Sequence, residues 1–174
     1  FEPYSCEMVF FSVSRYFLRI SALRLRRLLI CSSRVSVSKG FAGVLATKMA
    51  EREAINLDTP VIAYLPSLHL SKQYNEEHLT LRNTLSHTTG LLGYSFDPYV
   101  ESGLTFNQIY QKLHVAKIDA MPGEQYAYQN VMFSLLDTVL QLRTGMKYGD
   151  LLSEHIFRPL GMNDASVGFE GLVG

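Results

Sequence analysis

Ser36 and Lys39, three residues apart, and Tyr128 and Asn130, two apart, are the side chains whose types and spacing could do covalent chemistry in this sequence. On a helix, three residues correspond to about 60° around the axis and about 4.5 Å along it, so the lysine amine reaches the serine hydroxyl. A serine hydroxyl is a poor nucleophile at neutral pH until a neighbouring base takes its proton, so Ser-x-x-Lys at a helix start points to covalent catalysis. The helix end adds its dipole and its free N–H groups. Neither pair decides the matter alone. With 16 serines and 6 lysines in the chain, about half a Ser-x-x-Lys is expected by chance, and about a third of a Tyr-x-Asn from 10 tyrosines and 6 asparagines. Their order and surroundings carry the case.

Those surroundings run in a fixed order: Ser36-Val37-Ser38-Lys39-Gly40-Phe41, Leu57-Asp58-Thr59-Pro60-Val61, Leu81-Arg82-Asn83-Thr84-Leu85-Ser86-His87-Thr88-Thr89-Gly90-Leu91, Pro122-Gly123-Glu124, Tyr128-Gln129-Asn130 and Pro159-Leu160-Gly161-Met162. Over roughly residues 35–168 this resembles the class C β-lactamase and DD-peptidase-like serine hydrolase family, and jointly the blocks are highly specific. The resemblance implies acyl transfer through a serine ester on a β-lactam, a D-alanyl peptide or a simple ester, with no cofactor and no metal. It implies that Ser36 is the nucleophile and Lys39 holds its hydroxyl. Tyr128 would be the base or proton shuttle. A phenol ordinarily titrates near about 10, so nearby positive charge must favour its phenolate. Asn130 would offer its amide to the substrate carbonyl and to Lys39. A buried tyrosine ahead of an N-cap asparagine is the plain structural alternative for Tyr128 and Asn130.

The elements that must position these groups are mostly helical. Residues 36 to about 52 place Val37, Phe41, Val44, Leu45, Lys48 and Met49 at helical spacing, a central and largely buried helix with the catalytic pair at its start. Leu57-Asp58-Thr59-Pro60 breaks it, and Val61 to Pro66 is a short segment. Thr80 caps a short helix to His87, with Gly90 as its stop signal. His87 reads more readily as bonded to neighbouring backbone than as a catalytic base. Residues 91–104, rich in Gly, Tyr, Pro and Ser, read as a loop at the rim of the site. Thr105 caps a helix to about Val115, with Phe106, Ile109, Tyr110 and Leu113 as its apolar stripe. Met121 to Glu124 is a turn. Asn130 then opens a strong helix whose Val131, Met132, Leu135, Leu136, Val139 and Leu140 face one way and whose Ser134, Asp137 and Gln141 face the other, up to Gly145. A last helix spans about Tyr148 to Phe157 and stops at Pro159.

Length and composition fit one domain: 174 residues, 47% hydrophobic, with ten Phe and ten Tyr for a core. Zero formal net charge argues against a dedicated nucleic-acid binder. The charge is uneven, since residues 1–34 hold six arginines against two glutamates. This basic head contains both cysteines, Cys6 and Cys31, which match no metal-ligand spacing and read equally as a disulfide or as two thiols. Its arginines exclude an ordinary signal-peptide core beyond Phe11. A basic helix lying on a membrane surface is one reading of it; a surface helix or a poorly ordered head is the other. No run of about 18 apolar residues calls for a membrane span.

Two departures from the family pattern shape the expectation for the whole chain. The strands expected in the head cannot be found, and no Lys- or His-Thr-Gly follows the Pro159–Met162 block before Gly174. That missing element would supply a cation and one oxyanion donor, whose loss costs about 10²–10³ in turnover. The chain therefore reads as an α+β family member of the serine β-lactamase and penicillin-binding type. Residues 1–34 form an atypical head, and residues 35–174 form a partial domain that is mostly the helical region, with the antiparallel sheet largely missing. The expected protein is a serine hydrolase of weak or no activity on its own, acting on a small-molecule or peptide substrate. A non-catalytic remnant or binding module with a membrane-surface head is the alternative. The resemblance, not a signal sequence, suggests a periplasmic or extracytoplasmic location.

Overall fold

The structure is a computed structural model and describes residues 38–71, 74, 76–163, 165 and 167. Ser36, the head at 1–34 with Cys6 and Cys31, and the start of the Ser-x-x-Lys helix lie outside the described residues. The first helix, α1, runs through residues 38–51 and turns Ala42, Leu45, Ala46 and Met49 into the core. Val44, expected among the buried positions, is 52% exposed; it lies one residue before Leu45, about 100° around the axis, and so off the buried stripe.

Two short helices follow, α2 (Val61–Tyr64) and α3 (Leu81–Leu85), with a 3₁₀ turn at Glu76–His78 between them. The Thr80 cap is real. Its hydroxyl accepts the Asn83 N–H at 3.2 Å while the Asn83 side chain takes the Thr80 N–H at 3.0 Å, a capping box. The helix closes at Ser86, earlier than His87, because His87 turns left-handed with φ of 58°.

Residues 91–104 are not all loop. Asp97–Glu101 forms a helix, α4, with proline in its first turn. Thr105 caps α5 (Phe106–Tyr110) in a second capping box, with Gln108 as its partner. This helix stops short of Val115, and Leu113–Val115 continues as a separate 3₁₀ turn that still buries Leu113.

The longest helix, α6 (Asn130–Thr144), ends at Gly145 in the left-handed conformation, as expected. It is not two-faced. Ser134 and Asp137 are as buried as the leucines, so α6 passes through the middle of the molecule rather than over its surface. Ser134 meets its hydrogen-bonding need locally by donating to the Asn130 carbonyl at 2.9 Å. Beyond it, α7 (Tyr148–Leu152) runs directly into a π-turn at Ser153–Phe157 and packs on α6.

The architecture is that of the helical part of an α+β protein. Among the described residues no strand forms, only the isolated bridges Pro60 to Thr80 and Leu91 to Ile118. One continuous core joins α1, α2, α3, α5, α6 and α7, with Leu91, Phe96 and Leu113 among its fully buried side chains.

Candidate active site

The loop from His87 to Tyr94 is laced to two later segments, and this lacing positions Tyr128. On one side, the Asp119 and Ala120 N–H groups donate to the Gly90 carbonyl at 2.9 and 3.1 Å, and the Gly123 N–H donates to Thr88 at 2.8 Å. On the other, the Ala127 N–H donates to the His87 carbonyl at 2.8 Å and the Tyr94 N–H donates to the Tyr128 carbonyl at 2.9 Å. The buried Gln129 side chain donates to the carbonyls of Leu91 and Leu92. Residues 125–129 are thus held without regular structure of their own, with Gln129 extended, and hand Asn130 to the start of α6. With Gln129 as its N-cap, Asn130 is the first residue of that helix rather than its cap.

Lys39, at the described start of α1, meets this segment. Its Nζ lies 5.2 Å from the centre of the Tyr128 ring and 5.3 Å from that of Phe133, one turn into α6. Burial holds the Lys39 ammonium down to about 8, with the Asp97 charge pulling back upward. Two of the expected residues, from opposite halves of the chain, therefore converge. Asn130 joins them less directly: its Nδ2 donates to Asp97 Oδ2 at 2.9 Å, and Asp97 acts electrostatically on Lys39. That bond was not expected, because one of the two amide protons meant for substrate and Lys39 goes to a carboxylate. The position of Ser36 lies outside the described residues.

His87 is the residue whose place in the site the sequence understates. It does bond to backbone, but not to neighbours: Nδ1 accepts the Gln129 N–H at 3.2 Å. Its ring lies 4.4 Å from the Tyr128 ring and stacks on Phe133 at 5.4 Å. Burial, then the Lys39 charge, holds the imidazole below its ordinary range. An N–H donating into Nδ1 leaves the proton on Nε2, so His87 is a neutral brace between α3 and Tyr128 rather than a base. Tyr94 packs against it as well, its ring 5.4 Å from that of Tyr128.

Buried titrating groups give the fold a signature in pH. Lys39 binds its proton less tightly folded, near about 8, than at its ordinary 10.5, so the unfolded chain holds more protons in that window and stability rises with pH across it. The contribution is about 2 kcal/mol after discounting for the water that reaches this half-buried side chain. Tyr74 and Tyr148 act oppositely, because burial pushes both phenols well above their ordinary 10.0 and stability falls as pH climbs past that value. Urea midpoints taken between pH 7 and 11 are expected to peak near pH 10. In Lys39→Met the rise between 8 and 10 should disappear, leaving only the fall.

Known proteins give the site a context. A family model described as Beta-lactamase matches residues 35–171. The D-alanyl-D-alanine-carboxypeptidase/endopeptidase AmpH of Escherichia coli (strain K12) is 33% identical over 136 residues, covering 75% of this chain and 35% of that protein. Among solved structures, a D-stereospecific amidohydrolase from Streptomyces sp. superposes with a TM-score of 0.64 at 26% identity, over 72% of this chain and 41% of that one. A class C beta-lactamase superposes with a TM-score of 0.61 at 26% identity, over 74% and 34%. The chain thus spans about a third of the length of the curated relative it matches.

Proposed function

Since the chain belongs to the beta-lactamase family, we propose that it is a serine hydrolase working through an acyl-enzyme, with Ser36 as nucleophile, Lys39 and Tyr128 as its proton-handling partners and Asn130 as a substrate-orienting amide. The observation that carries this reading is the approach of Lys39 Nζ to within 5.2 Å of the Tyr128 ring centre, both side chains half-buried. Helical spacing would put Ser36, three residues back in the sequence, one turn from Lys39.

Each group then has a physical task. Lys39, held near about 8, exchanges its proton close to neutral pH, which suits a partner that must take and return a hydroxyl proton. The Tyr128 ring packs against those of His87 and Tyr94, so its hydroxyl is held in place ahead of reaction. The serine oxygen attacks the acyl carbon, its proton passes to the Lys39–Tyr128 pair, and the leaving amine or alkoxide takes that proton back. Water repeats the sequence on the ester.

The substrate class is a β-lactam, a D-alanyl peptide or an ester, read from the D-alanyl-D-alanine carboxypeptidase, amidohydrolase and beta-lactamase that the chain resembles. An extracytoplasmic site of action is part of the same proposal. Among the described residues no helix is long and apolar enough to cross a membrane.

Incubation with a fluorescent penicillin, followed by intact-mass analysis, should add one covalent label to the chain and none to Ser36→Ala. A label that survives Ser36→Ala, or no label on the natural sequence after prolonged incubation, would overturn the assignment.

A further inference from the structure

A carboxylate stands inside this site without a task in the scheme above. Asp97 opens α4, half-buried, and its Oδ2 accepts the Asn130 side-chain N–H at 2.9 Å. Its charge also acts on Lys39. The remaining amide atom is informative: Asn130 Oδ1 is buried and accepts no hydrogen bond from the described residues. A buried acceptor without a donor costs about 1–3 kcal/mol, so something must hold the amide in that orientation. Turning it over would place Oδ1 against the carboxylate, two acceptors facing each other, and an ionised Asp97 forbids this.

We propose that Asp97 is a positioning residue of the serine, lysine and tyrosine site. Ionised, it fixes which way the Asn130 amide is turned, and it adds negative charge to the surroundings of Lys39. This deepens the hydrolase reading and rests on it for its catalytic meaning, though not for its test. One Nδ2 proton is spent on Asp97, leaving the second and Oδ1 as what Asn130 can offer other partners. A neutral group at position 97 imposes no choice on the amide and withdraws its charge from Lys39.

Other titrating groups face the same atoms and set the direction of each effect. Burial raises the Asp97 carboxyl above its ordinary range, the Asn130 N–H lowers it, Glu101 one turn along α4 raises it, and Lys39 lowers it. Around Lys39 stand the neutral His87 from the loop after α3 and the Tyr128 ring from the segment before α6. Among the described residues, Asp97 is the carboxylate whose charge acts on Lys39.

The test follows side-chain resonances of the whole chain through pH. The Asn130 Nδ2 protons are identified by their loss in Asn130→Ser, and the Lys39 ε-carbon by its loss in Lys39→Arg. In the natural sequence the Asn130 signals should shift in one step, above the usual carboxylate range, as Asp97 titrates. In Asp97→Asn that step should vanish, and the Lys39 midpoint should fall from about 8 by about one unit; Asp97→Glu should restore part of it. Asn130 signals that stay still through the acid range, or a Lys39 midpoint unmoved in Asp97→Asn, would overturn the proposal. The first readout needs no substitution at position 97, so a variant that fails to fold leaves the question decidable. Absence of penicillin labelling alongside these titrations would sink the hydrolase reading and leave Asp97 standing, and labelling with silent titrations would do the reverse.

Discussion

Tyr128→Phe is expected to slow covalent labelling of Ser36 by roughly 10²–10⁴-fold, the usual worth of a positioned proton-transfer group, while leaving the fold almost unchanged. The two halves of that statement rest on different atoms. The ring, not the hydroxyl, makes the contacts that hold this segment: 4.4 Å to His87, 5.4 Å to Tyr94 and 5.2 Å to the Lys39 ammonium. Phenylalanine keeps all three. The backbone on either side is pinned independently by the Tyr128 carbonyl and the Gln129 N–H. What disappears is the oxygen alone, and with it the group that can carry the serine proton. Lys39→Ala should slow labelling at least as much, but it also removes the charge lying against two rings, so its effect mixes chemistry with packing. Rates of adduct formation, read by mass at several penicillin concentrations, separate the cases. A Tyr128→Phe rate within a few-fold of the natural one would reduce Tyr128 to a wall of the cleft and leave Lys39 as the base.

The sequence carries α6 and its end in full view, because a 3.6-residue apolar period over four turns followed by glycine has few other solutions. The caps at Thr80 and Thr105 are equally local, each closed within three residues. What escapes has no local signal. Helix α4 is five residues long inside a stretch rich in Gly, Tyr and Ser, although Pro98 after Asp97 is itself a helix-start pattern. The apolar spacing of α5 continues to Leu113, but the backbone changes to 3₁₀, which keeps the stripe buried without keeping the helix. Ser134 and Asp137 read as a polar face because residue type reports affinity for water, not whether a central helix has water beside it.

The same division runs through the site. Ser-x-x-Lys and Tyr-x-Asn are visible because their members are close in sequence. Asp97 and His87 are not, because each finds its partner across the fold: Asp97 bonds Asn130 and His87 bonds Gln129. An aspartate ahead of a proline and a histidine at a helix end are ordinary features, and only the folded chain gives them these neighbours.

Gly90 shows how far the site depends on a residue with no chemistry of its own, and Gly90→Ala is the substitution expected to damage the fold most. In the sequence it looks like the stop of α3, yet that helix has closed at Ser86, four residues earlier. Its task is close approach. A methyl group built at Gly90 would meet the Ala120 carbonyl oxygen at 2.3 Å and the Met121 carbonyl carbon at 2.9 Å, both backbone atoms that cannot swing aside. Its φ of 79° adds the strain of a left-handed backbone, about 1–2 kcal/mol for a residue with a Cβ. Relieving the overlap means moving residues 119–121 away, and their two N–H bonds to the Gly90 carbonyl go with them. Overpacking typically adds about 1–3 kcal/mol, so a loss of about 2–5 kcal/mol is expected, a large part of the stability of a domain this size. Because the loop that Gly90 anchors also holds Tyr128 through His87 and Tyr94, labelling should fail in whatever fraction still folds. Urea unfolding and penicillin labelling of the same sample test both parts, and an unfolding midpoint within about 1 kcal/mol of the natural chain would show that residues 119–121 yield without cost.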